Sequence, residues 1–397
     1  MFENLPAYVD DPILGLFQVY QKDPRSTKVN LGIGIYCDDQ GKVPLLESVR
    51  VARAQYLNAN APSVYLPTEG TDAYRDAVRT LVFGELDAQT AANIAIVQTV
   101  AGTGGLKIGA DFLKGAVGHP EIWIPSPTWP NHEPIFETSG FRVRSYPYFS
   151  AATGRFDLEG ATSAFNQLEP GSFVLLHPCC HNPTGVDPSQ SEWAAMFDTI
   201  AERRLTPFFD MAYQGFAKGV DEDAWPIREC VRRGIGCLVS SSFSKIFSLY
   251  GERVGALSVY APGADAAKVL GQLKLAIRRT YSNPPAFGAM LVQTILSNVT
   301  LSAQWRSELG AMRGRMQQVR SALHGKLSQA LPDLRFDYLI EQQGMFSYTG
   351  LSPGQIDRLK TQFGVYVVSS GRICVAGVNS SNFGHVCDSL VEVNKAA

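Results

Sequence analysis

The 397-residue chain carries 35 basic and 37 acidic residues, a formal net charge of −2, with 45% hydrophobic and 18% charged residues. That length can bury a large core and form more than one domain, and the composition is that of a water-soluble globular protein. The near-balanced charge argues against a nucleic-acid or membrane-surface partner, and no apolar run approaches the roughly 20 residues that span a bilayer.

The amino-terminal stretch MFENLPAYVDDPILGLF bears acids where a signal peptide bears bases. The seven cysteines are odd in number, scattered and without zinc spacing, so they read as reduced, mostly buried thiols. These features point to the cytoplasm and to a chain with no metal centre.

Strand-like and helix-like segments then alternate. Ile94–Val100 reads as a strand and Gly104–Lys114 as a helix. Glu121–Pro125 is a short apolar run, Pro130–Ser139 looks helical, and Phe141–Tyr148 alternates like a strand. Ser172–His177 is continuously apolar, Ser189–Arg204 has helical spacing, and Thr206–Asp210 is again short and apolar. Asp223–Arg233 reads as a helix, with Ile235–Ser241 and Arg253–Tyr260 as strands. Continuous apolar strands separated by helices predict a mainly parallel sheet covered on both faces: an α/β domain over residues 45–295. Leu301–Gln329 is one long amphipathic helix pattern. Beyond it, Phe336–Ile340, Met345–Tyr348, Val365–Ser369 and Ile373–Ala376 read as strands, with helices near Pro353–Phe363 and Asn382–Lys395. Residues 296–397 thus form a smaller α+β domain. Residues 1–44 are an arm that either packs with this small domain or reaches across to a partner.

In open α/β sheets, ligands bind beyond the carboxyl ends of the strands. After Ile94–Val100 comes Ala101-Gly-Thr-Gly-Gly105, opening a helix; such a start suits a phosphate, although an ordinary tight turn uses the same residues. After Ser172–His177 comes Pro178-Cys-Cys-His-Asn-Pro-Thr-Gly185, in which Pro183 holds Asn182 extended. Asp210 and Tyr213 follow the third run. A buried acid there needs a positive or donor partner, either a cofactor ring nitrogen or a helix it caps. Ser244-Lys245 follows the fourth run, with Arg253 eight residues on. A desolvated lysine amine is a good Schiff-base nucleophile, and an arginine nearby can neutralise a phosphate. Ser242-x-x-Lys245 also fits the SxxK element of serine acyl-transferases, but their KTG and SDN elements are missing.

Gly102-Thr-Gly104, Trp129-Pro-Asn-His132, His181-Asn-Pro-Thr-Gly185, Asp210-x-x-Tyr213, Ser242-x-Ser-Lys245, Arg253, Tyr281-Ser-Asn-Pro-Pro285 and Ser370-Gly-Arg372 occur in one order. In that order they resemble the class I, fold type I, pyridoxal-phosphate aminotransferases, nearly end to end. The bacterial aspartate and aromatic (tyrosine) aminotransferases are the most similar branch. The resemblance implies a homodimer with shared active sites and small-molecule amino-acid and 2-oxo-acid substrates. It implies transamination of tyrosine and phenylalanine, with tryptophan a further candidate, to 2-oxoglutarate, alongside aspartate; a dedicated aspartate enzyme is the alternative.

The resemblance also assigns roles. Lys245 would bind pyridoxal 5'-phosphate and shuttle the proton. Asp210, supported by His132, would pair with the ring nitrogen, Asn182 and Tyr213 would hydrogen-bond the ring oxygen, and Trp129 would stack on the ring. Gly102, Thr103, Gly104, Ser242, Ser244 and Arg253 would surround the phosphate, with Tyr65 reaching it from the neighbouring subunit. Arg372 would grip the substrate α-carboxylate, and Arg278 of the neighbouring subunit a distal carboxylate. Ile33, Gly34 and Phe346 would line the substrate side. Ala101 replaces a glycine common in the family. Ile35, Cys37, Val43 and Val64 are more apolar than in strict aspartate enzymes, whereas Thr103 and Asn283 are aspartate-like.

Overall fold

Seven strands make the central sheet: β1 (Ile94–Val100), β2 (Glu121–Ser126), β3 (Arg142–Pro147), β4 (Phe173–Leu176), β5 (Thr206–Met211), β6 (Cys237–Ser242) and β7 (Val254–Tyr260). They come from a computed structural model that describes residues 2–5, 11–116 and 120–395. The order across the sheet is β1-β7-β6-β5-β4-β2-β3. Neighbours from β6 to β3 pair in parallel. β7 is antiparallel to both β1 and β6, so it alone runs against the other six strands. Every residue of β4, β6 and β7 is buried, as continuous apolar runs between helical layers require. The helix α1 (Ala101–Ala116) follows β1 directly and packs on β6 and β7. Leu106, Ile108 and Leu113 of α1 join Val97, Phe208 and Leu257 in the core of the sheet.

The chain's contacts divide it into two compact units. Leu45–Asn182 and Val186–Gly314 form the larger. The chain up to Pro44, Pro183–Gly185 and the chain from Arg315 onward form the smaller. The sequence placed the second boundary at 295/296; the contacts place it at 314/315, inside one unbroken helix, Val299–Ala330. A helix needs no break to contribute one stretch to each of two cores, so periodicity alone does not mark the change.

In the smaller unit, Val29–Asn30 pairs in parallel with Val365–Tyr366. Leu31 is fully buried with Leu323, Leu359 and Val386. The segment around Val29–Leu31 therefore packs within the smaller unit. Phe346–Tyr348 pairs antiparallel with Arg372–Cys374. The strand expected at Phe336–Ile340 is not one: Tyr338–Glu341 is helical. Phe336 and Leu339 are buried and Ile340 is exposed, which is helical three-residue spacing rather than alternation.

Several helices carry legible start signals. Ser189 and Glu192 form a capping box on Gln190–Glu202, and Ser352 and Gln355 another on Pro353–Phe363. The helices Leu14–Lys22, Glu47–Asn58, Asp72–Phe83, α2 (Ala266–Thr280) and Ala286–Ser297 were not foreseen from the sequence. No single helix among the described residues is long and apolar enough to cross a membrane.

Candidate active site

Six strands of the sheet end at the edge where β7 begins, and the chemistry-bearing residues of the larger unit gather along that edge. α1 starts at Ala101, so Gly102, Thr103 and Gly104 form its first turn, where amide N–H groups lack helical partners. Ala101 takes φ +54° and donates its N–H to the Arg253 carbonyl at 3.1 Å. A left-handed backbone costs a non-glycine residue about 1–2 kcal/mol, which accounts for glycine being the usual residue there. Gly255 permits this close approach: a Cβ on it would lie 2.6 Å from the Ala101 carbonyl carbon.

Beside that turn stand Ser242, at the end of β6, and Ser244. Their hydroxyls are 3.3 Å apart, and Arg253 Nη1 reaches Ser244 Oγ at 3.4 Å. Because β7 is antiparallel, Arg253, just before its first residue, returns to the edge where β6 ends. Two hydroxyls, a guanidinium and the amides of a helix start are a donor set suited to a phosphate dianion.

Lys245 is part-buried, with Nζ 4.9 Å from the ring centre of the buried Tyr213. Asp210, second from the end of β5, is 7% exposed. His132 Nε2 lies 3.0 Å from its Oδ2, and Thr128 Oγ1 lies 2.8 Å from His132 Nδ1. Burial opposes ionisation of Asp210, but the His132 hydrogen bond, aided by the nearby Lys245 charge, outweighs it and holds the carboxyl below its ordinary range. Asp210 is thus an anion fit to face a protonated ring nitrogen. Asn182 is buried, and Trp129 is half-buried with its ring edge-on to His132 at 5.2 Å. Phosphate donors at one end of the edge, a buried carboxylate and a part-buried lysine fit pyridoxal phosphate.

The smaller unit holds the predicted residues Ile33, Gly34, Phe346 and Arg372. The pairing of Tyr348 with Arg372 and of Phe346 with Cys374 makes Phe346 and Arg372 diagonal neighbours on one face. The Arg372 guanidinium lies 4.0 Å from the Phe346 ring centre, and its Nη2 donates to the Gly32 carbonyl at 2.5 Å. Ile33 is half-buried, and a Cβ on Gly34 would stand 2.9 Å from Phe346 Cζ. In the larger unit, Tyr65 is 91% exposed, and Arg278 is exposed and donates to Ser282 Oγ at the end of α2. Among the described residues, Arg278 pairs with Ser282 at this helix end rather than with the group around Lys245. Val43 and Val64 are also exposed in the chain.

Two features escaped the sequence reading. First, rings cluster beside Asp210: His132 and His177 are tilted with centres 5.2 Å apart, His177 and His181 meet edge-on at 4.6 Å, and His181 lies flat on Tyr148 at 3.7 Å. Second, two donor clusters that could hold a metal ion come together, His132–His177–Asp210 and Cys179–Cys180–Asp223. In each, the carboxylate already has partners: Asp210 has His132, and Asp223 accepts from the amides of Gly215, Ala217, Lys218 and Gly219. Sequence separation hides both features; only the parallel strand ends bring these residues together.

Burial, then the charge of His132, pushes the His177 ring down to about 3. An unfolded histidine titrates near 6.5. The unfolded chain therefore takes up this proton first on acidification, and stability falls as pH drops below about 6.5, by about 1.4 kcal/mol per unit. Between pH 6.5 and 5 this one ring should cost about 2 kcal/mol. His177→Gln should lose that share of the pH dependence in urea denaturation at pH 5 and 7. An unchanged dependence would refute the assignment.

The sequence matches the family described as Aminotransferase class I and II over residues 26–390. It is 49% identical to a tyrosine aminotransferase of Klebsiella pneumoniae, covering 99% of this chain and 100% of that protein. It is 45% identical to an aspartate aminotransferase of Pseudomonas aeruginosa, covering 99% of each. The fold superimposes on the crystal structure of an aromatic-amino-acid aminotransferase from Burkholderia pseudomallei covalently bound to pyridoxal phosphate. That match has a TM-score of 0.96 and 44% identity, covering 99% of both chains. The architecture is that of the fold type I pyridoxal-phosphate-dependent transferases. Within that class, the chain belongs to the class I and II aminotransferase family and is a pyridoxal-phosphate-dependent enzyme.

Proposed function

We propose that the enzyme moves the amino group of tyrosine, phenylalanine and tryptophan to 2-oxoglutarate, giving the aromatic 2-oxo acid and glutamate, and that it also accepts aspartate. The observation that carries this reading is the 49% full-length identity to a tyrosine aminotransferase. The aspartate aminotransferase at 45% supports the dicarboxylate side.

Bound pyridoxal phosphate supplies the electron sink that lets the substrate Cα release its proton. Lys245 Nζ takes that proton and returns it. The Asp210 carboxylate, oriented by His132, would keep a proton on the ring nitrogen. Asn182 and Tyr213 would donate to the ring oxygen, and Trp129 would cover the ring. The first turn of α1 at Gly102, Thr103 and Gly104, with Ser242, Ser244 and Arg253, would hold the phosphate. Arg372 takes the α-carboxylate, its plane set by Phe346 and the Gly32 carbonyl. Ile33 and Gly34 line the substrate side.

We further propose a homodimer in which Tyr65 and Arg278 serve the neighbouring subunit's site. Their exposure in the single chain supports this. We place the enzyme in the cytoplasm, which the seven cysteine thiols without a disulfide support.

Arg278 is the residue that tests dual specificity. Truncating one partner of a buried charge pair costs about 2–5 kcal/mol. Arg278→Leu should therefore lower kcat/KM for aspartate by roughly 30- to several-thousand-fold, and for phenylalanine by less than about tenfold. The amino-donor half-reaction must be followed by single-turnover spectroscopy, because the acceptor 2-oxoglutarate is itself a dicarboxylate. Equal losses for the two donors would make Arg278 structural and remove the basis for dual specificity.

A further inference from the structure

Cys180 has φ +51°, a left-handed backbone at a residue with a side chain, two positions before Asn182. Such a conformation persists only where its surroundings impose it. Here the Asp187 carboxylate imposes it: Oδ2 accepts the Cys180 N–H at 2.7 Å, and Oδ1 accepts the His181 N–H at 2.9 Å. A second tie spans the same residues. The Tyr148 ring lies flat on the His181 ring at 3.7 Å, and its hydroxyl donates to the Val186 carbonyl at 2.8 Å. Between the tied ends, Pro183–Gly185 belongs to the smaller unit, where Gly185 O accepts the Gln343 N–H at 2.7 Å. The loop thus leaves the larger unit directly after Asn182 and re-enters it at Val186.

We propose that Asp187, braced by Tyr148, is a positioning residue that clasps the base of this loop and holds the Asn182 side chain against the cofactor ring oxygen. The charge on Asp187 comes at an energetic cost. Enclosure raises its carboxyl to about 6 in spite of the two N–H bonds, and the nearby Asp223 adds to the rise. An asparagine would fill the same space without that cost, but it could accept only one of the two N–H groups. An acid kept in so unfavourable a place serves the geometry of the loop it grips.

The proposal rests on the reading of Asn182 as the ring-oxygen partner, and the test separates the two. Holoenzymes of the parent, Asp187→Asn, Tyr148→Phe, Asn182→Ala and the double variant Asp187→Asn/Asn182→Ala are titrated with pH by their visible absorption, and kcat is measured beside it. Asn182→Ala should shift the titration midpoint. Asp187→Asn should shift it in the same direction by at least about half a pH unit, with kcat down about tenfold. Tyr148→Phe should shift it less. In the Asn182→Ala background, Asp187→Asn should add almost nothing, because both act through one side chain. If Asn182→Ala moves the midpoint but neither Asp187→Asn nor Tyr148→Phe does, with thermal stability alone reduced, the clasp is structural and the proposal fails. Full additivity in the double variant also overturns it. An unshifted midpoint in Asn182→Ala removes the reading of Asn182 itself, and the clasp's role with it.

Discussion

Lys245→Ala should retain the fold and lose transamination by about ten-thousand-fold or more, equivalent to about 5.5 kcal/mol of barrier. Lys245 lies just beyond β6, every residue of which is buried, with its amine 4.9 Å from the Tyr213 ring centre. Lysines are rarely drawn in this way without a partner or a task. Under the proposed mechanism, alanine removes both the amine that would bind the cofactor covalently and the base that would move the Cα proton. Borohydride reduction followed by peptide mapping should trap the cofactor on the wild-type peptide containing Lys245 and on no peptide of the variant. A trapped adduct on the variant, or a loss below about tenfold, would sink the assignment. The fold is checked separately by circular dichroism.

Asp210→Ala should still bind cofactor but turn over about a thousand-fold more slowly or worse. The carboxylate is 7% exposed, sits 3.0 Å from His132 and is held ionised against its burial. Breaking a buried charge pair by removing one partner costs about 3–5 kcal/mol, and most of that should appear in kcat, because the ring nitrogen's proton is needed most as the Cα proton leaves. Asp210→Asn separates charge from shape. It keeps the volume and a hydrogen bond to His132 but not the charge, so it should be nearly as slow as alanine. A fall in kcat of less than about tenfold in Asp210→Ala, or near-wild-type turnover in Asp210→Asn, would show that the charge is not what matters.

The local signals were strong where one segment carries its own meaning. Short apolar runs marked most strands of the central sheet, because a strand buried on both faces needs no alternation to be recognised, and alternation marked the exposed edge strand β3. The candidates Lys245, Asp210, Asn182 and the α1 turn were legible as the residues after those runs, because ligands bind beyond the strand ends of an open α/β sheet. The amphipathic helices outside the sheet were less legible. α2 and Ala286–Ser297 follow one another closely, between two regions whose chemistry is easier to read. Phe336–Ile340 was too short for its period to separate strand from helix, and burial of Phe336 and Leu339 settled it.

The sequence by itself determined the α/β class, the order of the strands along the chain and which side chains bring the chemistry. The tertiary structure alone decided how they meet. Arg253 and Ser244 converge because β7 runs against its neighbours, and strand direction is a matter of long-range pairing that no local period records. Arg372 lies on Phe346 because two short strands pair in one register, and a slip of one residue would turn them to opposite faces. The ring cluster of His132, Tyr148, His177 and His181 joins residues from three stretches of the chain, and the Asp187 clasp closes a loop whose middle belongs to the other unit. Such contacts form only when separate elements have packed, so their energies belong to the folded arrangement and leave no mark on any single stretch of sequence.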